Sequence, residues 1–238
     1  MRDNKVCFGK EFQLPYALEE AVNRLRINVS FLGKSTRKIL IISSEPNEGK
    51  SFVAFNLWKQ VAQSGEKAVL LDLDMRKSTL ATIYDMKRED GEELKGMSHY
   101  LSDDSRIWDA ILDTDDPNAD ILPNVDNIVN PSMLLEGPKF EEMLDYVSEN
   151  YRYAFIDAPP LGLVSDGELI ANQCDGAILC VRSGITPRAI IRNSINQLER
   201  AGCPLIGIVL NRVDNTQSGY YHKYYGSHYY NSEYYAKD

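Results

Sequence analysis

The chain is poor in the residues that build cross-linked or metal-bound folds. Among 238 residues there are four cysteines (Cys7, Cys174, Cys180, Cys203) and three histidines (His99, His222, His228). No two cysteines have C-x-x-C spacing, so no zinc ribbon or dithiol motif is present. At this length and spacing a disulfide framework is not expected. Cys180 and Cys203 lie in or beside apolar runs and read as buried thiols. Positive charge is also scarce. Lys and Arg number 26 against 35 Asp and Glu, a net charge of -9. That field opposes general nucleic-acid binding, which depends on neutralising phosphates. No apolar run approaches the length of a membrane span. The first residues, MRDNKVCFGKEF, lack an apolar segment, so no secretory signal is read there and the cytoplasm is the expected compartment.

What is present suits one α/β core. Hydrophobic residues make up 43% and charged residues 26%. A core of this size buries about 70% of the unfolded surface. Residues 1–14 are polar and mixed and read as a loose arm. Leu18, Val22, Leu25 and Val29 recur at spacings of four and three, predicting a helix from Pro15 to Phe31. Strands are expected at 38–44, 68–73, 121–122, 153–156, 176–181 and 205–210. Helices are expected at 52–63, 97–101, 107–112, 131–150, 165–174 and 187–201. Strand and helix alternate, and the strands are apolar on both faces. The pattern implies a doubly wound, mostly parallel sheet.

The sharpest local signal is Gly49-Lys50-Ser51, set between a strand and a helix. In a phosphate-binding loop the backbone amides wrap the phosphates, the lysine reaches the outer oxygens, and the serine hydroxyl goes to magnesium. The strict GxxxxGK[ST] pattern is broken at Ser44, where the first glycine would stand. Two further segments end strands in carboxylates. VLLDLDMR carries Asp72, Asp74 and Arg76, with both aspartates on one face of the strand. YAFIDAPP places Asp157 after an apolar run. Like charges this close call for a cation, and magnesium is the expected one.

The set SSEPNEGKS, VLLDLDMR and FIDAPP, followed by a tyrosine-rich end, resembles the bacterial tyrosine kinases of capsule and exopolysaccharide systems. The form it resembles is the separate kinase subunit of Gram-positive bacteria. GMSHYLS (96–102), NPSMLL (130–135), the stretch 159–186 and GIVLNRVD (207–214) extend the likeness from about residue 16 to the end. The resemblance implies a P-loop fold related to ParA and MinD ATPases, with ATP and Mg2+ as cofactors. It implies that Asn47, Glu48, Gly49, Lys50, Ser51, Phe52, Arg182 and Asn211 bind the nucleotide, Asn211 at the base. Ser51, Asp72, Asp74 and Asp157 would hold the metal. Lys50 would stabilise the transferring phosphoryl, Asp72 would take the tyrosine proton, and Arg76 would assist the acceptor or the charge cluster.

Residues 219–238 contain eight tyrosines and no aliphatic side chain larger than Ala236. They read as a flexible tail beyond a kinase domain at 1–218. The resemblance implies autophosphorylation there, at Tyr220, Tyr221, Tyr224, Tyr225, Tyr229, Tyr230, Tyr234 and Tyr235. It also implies a transmembrane adaptor of the polysaccharide co-polymerase type, a homo-oligomeric ring using residues 1–36, a cognate tyrosine phosphatase, and a place at the inner face of the membrane. Four positions depart from the family pattern. Asn47 stands for a usual glycine, Asn23 for an arginine of E-x-x-R-x-x-R, Ser78 for a proline and Met133 for a glutamate. Asn47 is expected to tolerate a left-handed backbone. Two other readings stay open at this point: a nucleotide-binding regulatory subunit with little turnover, and a ParA- or MinD-like ATPase. Glu45, where such ATPases carry a lysine, opposes the second.

Overall fold

The structure, a computed structural model, describes residues 4–10 and 12–213. Its frame is set by short runs that are apolar on both faces. KILIIS forms β2 (Lys38–Ser43), AVLLD β3 (Ala68–Asp72), ADIL β6 (Ala119–Leu122), YAFID β7 (Tyr153–Asp157), GAILCVR β8 (Gly176–Arg182) and LIGIVLN β9 (Leu205–Asn211). With β5 (Leu112–Asp113) they make a seven-stranded sheet ordered β5-β6-β3-β7-β2-β8-β9. Every neighbouring pair is parallel except β5 with β6.

Alternation along each strand feeds two cores. Leu40, Ile42, Leu71, Ile156 and Leu179 face one side, where α7 (Pro138–Asn150) contributes Phe140, Met143, Leu144 and Val147. Ile39, Ile41, Leu70 and Phe155 face the other, where α2 (Lys50–Gln63) contributes Phe55, Leu57 and Trp58. The helix α1 (Tyr16–Ser30) packs outside α2 through Val22 and Val29. The remaining large helix, α9 (Arg188–Arg200), closes the first side with Leu198. Both faces are therefore covered, as parallel strands require. Phe155 is fully buried. Truncating Phe155 to alanine is expected to cost about 3–5 kcal/mol, measurable as a shift of the denaturant midpoint at unchanged slope.

Three expectations are corrected. The N-terminal arm is not loose over its described part. Val6–Phe8 forms β1, paired antiparallel with β4 (Met86–Arg88) in register Val6↔Arg88. Val6 is fully buried, and the Phe8 ring meets Phe55 edge-on at 5.6 Å. Charged neighbours hide this three-residue alternation from a periodicity reading. The expected helix at 131–150 is two: α6 (Ser132–Leu135) and α7. Gly137 between them is extended, and Pro138 starts the second helix. Its apolar spacing continues across the break because both pieces face one core. In the middle of the chain, α3 (Leu80–Ile83) and β4 were not foreseen, and Leu112 starts β5 instead of ending α5 (Ile107–Ala110). The helices α4 (Met97–Ser102) and α8 (Asp166–Ala171) lie where the spacing placed them.

The carboxyl ends of β2, β3, β7, β8 and β9 carry the P-loop, Asp72, Asp157, Arg182 and Asn211. In a doubly wound sheet this end, beside the strand where the order reverses, is where ligands bind.

Candidate nucleotide and phosphoryl-transfer site

The loop between β2 and α2 closes on itself before any ligand is considered. The Glu45 amide donates to Glu48 Oε2 at 2.8 Å, and the Arg182 amide donates to Glu48 Oε1 at 3.2 Å. The Thr186 hydroxyl donates to the same Oε1. Glu48 is thus a buried carboxylate satisfied by donors from its own loop and from the end of β8. Asn211 Nδ2 donates to the Glu48 carbonyl at 2.9 Å. Ser194 Oγ donates to Ser44 Oγ at 2.9 Å, so the serine that breaks the sequence pattern has a buried partner.

Two residues of the loop are left-handed, Asn47 at φ 62° and Gly49 at φ 94°. Asn47 adopts the conformation expected of it. Gly49 has a second constraint, since a Cβ there would stand 2.0 Å from Asn211 Nδ2. No side chain caps α2, so its first amides are available to an anion, aided by the helix dipole. Replacing Asn47 by valine, which adopts φ above zero only with strain, is expected to weaken nucleotide binding about tenfold. Asparagine-to-glycine is expected to leave it within about twofold. Equilibrium titration with a fluorescent ATP analogue reads both.

Lys50 reaches from the start of α2 into the carboxylates. Its Nζ lies 2.8 Å from Asp74 Oδ2, 3.5 Å from Asp157 Oδ1 and 3.2 Å from Ser51 Oγ. Burial works against its charge, but Asp157 and Asp74 outweigh that and hold the ammonium well above its ordinary value. Asp72 and Asp157 are directly paired in the register of β3 and β7. Both carboxyls are fully buried and both are pushed up. For Asp72 burial leads, Asp157 adds, and the Ser78 hydroxyl and Lys50 oppose. For Asp157 burial leads, and Lys50 and Ser51 oppose. The Ser78 hydroxyl donates to Asp72 Oδ2, and the Asn124 amide donates to the same oxygen at 3.3 Å. A proline at 78 would supply neither that hydroxyl nor the Ser78 amide, which donates to Asn127 Oδ1 at 3.1 Å.

Lys50, Ser51, Asp72, Asp74 and Asp157 are therefore brought together. The aspartates do not form an ion cage. Among the described residues no three acidic, histidine or cysteine side chains are spaced to hold a metal, and Lys50 bridges Asp74 and Asp157. The donor set still fits magnesium, which takes one or two carboxylates and completes its shell with phosphates and water. The Ser51 hydroxyl beside Asp157 supplies such a hydroxyl–carboxylate pair.

Two expected residues, Arg76 and Phe52, are placed differently. Arg76 does not project freely toward an acceptor. Its guanidinium is taken by buried Asp166 and by the Val129 carbonyl. Phe52 turns to the outer side of α2, lining a cavity of about 370 Å³ with Phe8, Phe55 and Tyr84. Asp166, Asn124 and Thr186 were not singled out from the sequence. Their partners lie 90, 52 and 138 residues away, and no spacing rule reaches that far. All eight tail tyrosines lie outside the described residues.

A family model for an AAA domain matches residues 36–183. A tyrosine-protein kinase CpsD of Streptococcus agalactiae is 34% identical over 202 residues, covering 85% of each chain. The crystal structure of the chimerical protein CapA2B2 is 30% identical, with a TM-score of 0.73, covering 82% of this chain and 84% of that one. The septum site-determining protein MinD of Pyrococcus horikoshii, solved with Mg-ADP, shares the fold at a TM-score of 0.62 and 24% identity. Such coverage extends well beyond the phosphate loop and takes in the strands that end in Asp72 and Asp157. The chain belongs to the bacterial tyrosine kinases of capsule and exopolysaccharide biosynthesis, a family built on the P-loop fold.

Proposed function

We propose that this ATP-dependent tyrosine kinase works with magnesium at the Lys50 cluster and that its acceptors are tyrosines of the 219–238 segment. The observation that carries this reading is the buried Lys50 ammonium held between Asp74 and Asp157 at the start of an uncapped helix. The loop and α2 amides would bind the phosphates. Lys50 would neutralise charge on the transferring phosphoryl, the largest contribution such a site makes. Ser51 and Asp157, with Asp72 and Asp74 beside them, would hold magnesium, which supplies charge neutralisation across the phosphates. A tyrosine hydroxyl has a pKa of about 10, so a carboxylate must accept its proton as the bond forms. Asp72, whose basicity is raised by burial beside Asp157, suits that task. Asn211 would sit at the base and Arg182 at the nucleoside end.

The regulatory reading rested on Asn47 and on the helix arginine replaced by Asn23; of these, Asn47 takes the left-handed conformation without breaking the loop. The positioning-ATPase reading needs a lysine where Glu45 stands.

The test is intact-mass spectrometry after incubation with ATP, magnesium and the cytoplasmic segment of the adaptor. Stepwise phosphoryl gains that map to residues 220–235 are expected. An unmodified tail in the presence of proven ATP and adaptor binding would overturn the assignment.

The partners follow the same reading: a transmembrane adaptor of the polysaccharide co-polymerase type, a ring of like subunits, a cognate phosphatase, and attachment to the inner membrane face through the adaptor. No helix among the described residues is long and apolar enough to cross a membrane. On α1, Asn23 Oδ1 accepts from Arg26 Nε at 3.1 Å and Nη2 at 2.9 Å. The remaining arginine of the helix motif is drawn back along its own helix, which predicts a weak ring. Each phosphate adds about -1.5 to -2 charges. Full phosphorylation is therefore expected to lower the mass seen by light scattering. An unchanged mass and unchanged adaptor affinity would contradict this.

A further inference from the structure

Asp166 is a buried carboxylate that the proposed chemistry does not use. It is the first residue of α8, and its side chain is 1% exposed. Arg76 Nε donates to its Oδ2 at 2.5 Å, and Nη2 donates to Oδ1 at 3.1 Å. Ser132 Oγ donates to the same Oδ1 at 3.0 Å. The third guanidinium nitrogen, Nη1, donates to the Val129 carbonyl at 2.6 Å. All three nitrogens of Arg76 are thus committed away from the carboxylate cluster, in the bidentate geometry that guanidinium favours.

That commitment matters because of where Arg76 sits in the chain. Asp74 is two residues away, close enough to raise the basicity of Arg76 further, after the leading effect of Asp166. Among the described residues Asp74 is also the nearest carboxylate to Lys50 Nζ. Released from Asp166, Arg76 would remain two residues from Asp74, whose charge it already feels, and would compete there with Lys50 and with any cation that Asp74 serves.

We propose that Asp166, with Ser132, is a positioning residue that sequesters Arg76 and so keeps Asp74 available to Lys50 and to a nucleotide-bound divalent cation. Arg76 is on this account a tethered cation and not a contact to the acceptor tyrosine. The inference rests on the reading of Asp74 as part of the cation–nucleotide site. Wild-type protein tests that reading by itself, through whether nucleotide binding depends on magnesium at all.

The experiment measures binding of a fluorescent ADP analogue to the full chain across a magnesium titration, with thermal melting alongside. Asp166→Asn keeps an acceptor for Ser132 but loses the charge that holds Arg76. It is expected to raise the magnesium needed for half-maximal binding by about tenfold, as losses beyond the ligand shell typically do. Adding Arg76→Gln removes the competitor. The double variant is expected to return to within about twofold of wild type, although its melting temperature stays low. A fold-supporting role alone gives the opposite pattern, with the double variant as weak as Asp166→Asn. That result, or an unchanged magnesium requirement in Asp166→Asn, would overturn the proposal. Should Asp166→Asn not fold, Arg76→Gln alone decides. Its magnesium requirement is expected to equal or fall below that of wild type, and a severalfold increase refutes the sequestration.

Discussion

Replacing Lys50 by methionine is expected to lower the rate of tail phosphorylation by at least about a thousandfold. The size of the effect follows from where the charge sits. Lys50 is a largely buried ammonium at the start of α2, beside the amides to which the proposed function assigns the phosphates, with Asp74 and Asp157 fixing its direction. In a water-poor site a pre-aimed charge is worth far more than in solvent, because little reorganisation is needed when charge develops. Methionine keeps the length of the side chain and removes the charge. It also leaves Asp74 and Asp157 without their cation, so the nucleotide-free variant is expected to melt lower than wild type. Lys50→Arg separates the two effects. Arginine keeps a permanent positive charge for the carboxylates but carries it on a larger, planar group. It is expected to recover most of the melting temperature and little of the turnover. Single-turnover transfer to the tail, measured on protein shown to be folded by the fluorescence of buried Trp58, distinguishes them. Comparable turnover in Lys50→Arg and wild type would mean that charge alone matters and that the aim of Lys50 does not.

The central strands were legible because each is a short apolar run whose alternate residues serve two different cores, as Ile39 and Leu40 do on β2. That Gly49, Lys50, Ser51, Asp72, Asp74 and Asp157 would meet was legible for a related reason. They lie in one loop and at or just past strand ends on the same edge of the sheet. What stayed hidden depends on distant partners. Val6 and Phe8 make a strand only because Met86–Arg88 lies alongside, with Val6 paired to Arg88, 82 residues further along the chain. The Gly137-Pro138 break was masked by apolar spacing that persists across it. The resemblance put Arg76 with the acceptor or the charge cluster. Its true partner, Asp166, is 90 residues on and carries no local signature. Ser78 is the instructive intermediate. As a departure from the family pattern it was visible, but its consequence, a hydroxyl donated to Asp72, needed the fold.

Asp72→Asn is expected to separate stability from turnover. The Asp72 carboxyl is fully buried beside Asp157, and burial first, then that neighbour, push it up to about 8. In the unfolded chain the same group titrates at about 3.9. Between those values the folded protein holds a proton that the unfolded chain releases. Stability of the nucleotide-free wild type should therefore fall as pH rises from about 4 to about 8 and level off above, a loss on the order of a few kcal/mol. Asparagine has no such proton, and it relieves the repulsion felt by Asp157. Its amide can still accept the Asp74 amide hydrogen, which approaches Asp72 Oδ1 at 3.3 Å, and can donate to Ser78. Against this it presents a donor toward the Asn124 amide, a small loss. The melting temperature of the variant relative to wild type should thus increase from pH 5 to pH 8. Phosphorylation of the tail should meanwhile fall by about a hundredfold or more, the loss expected when a positioned base is removed. Parallel melting curves of the two proteins at every pH would show that Asp72 is not held protonated by its surroundings. Retained transfer would move the proton acceptor elsewhere, with Asp74 the next carboxylate in reach of the same loop.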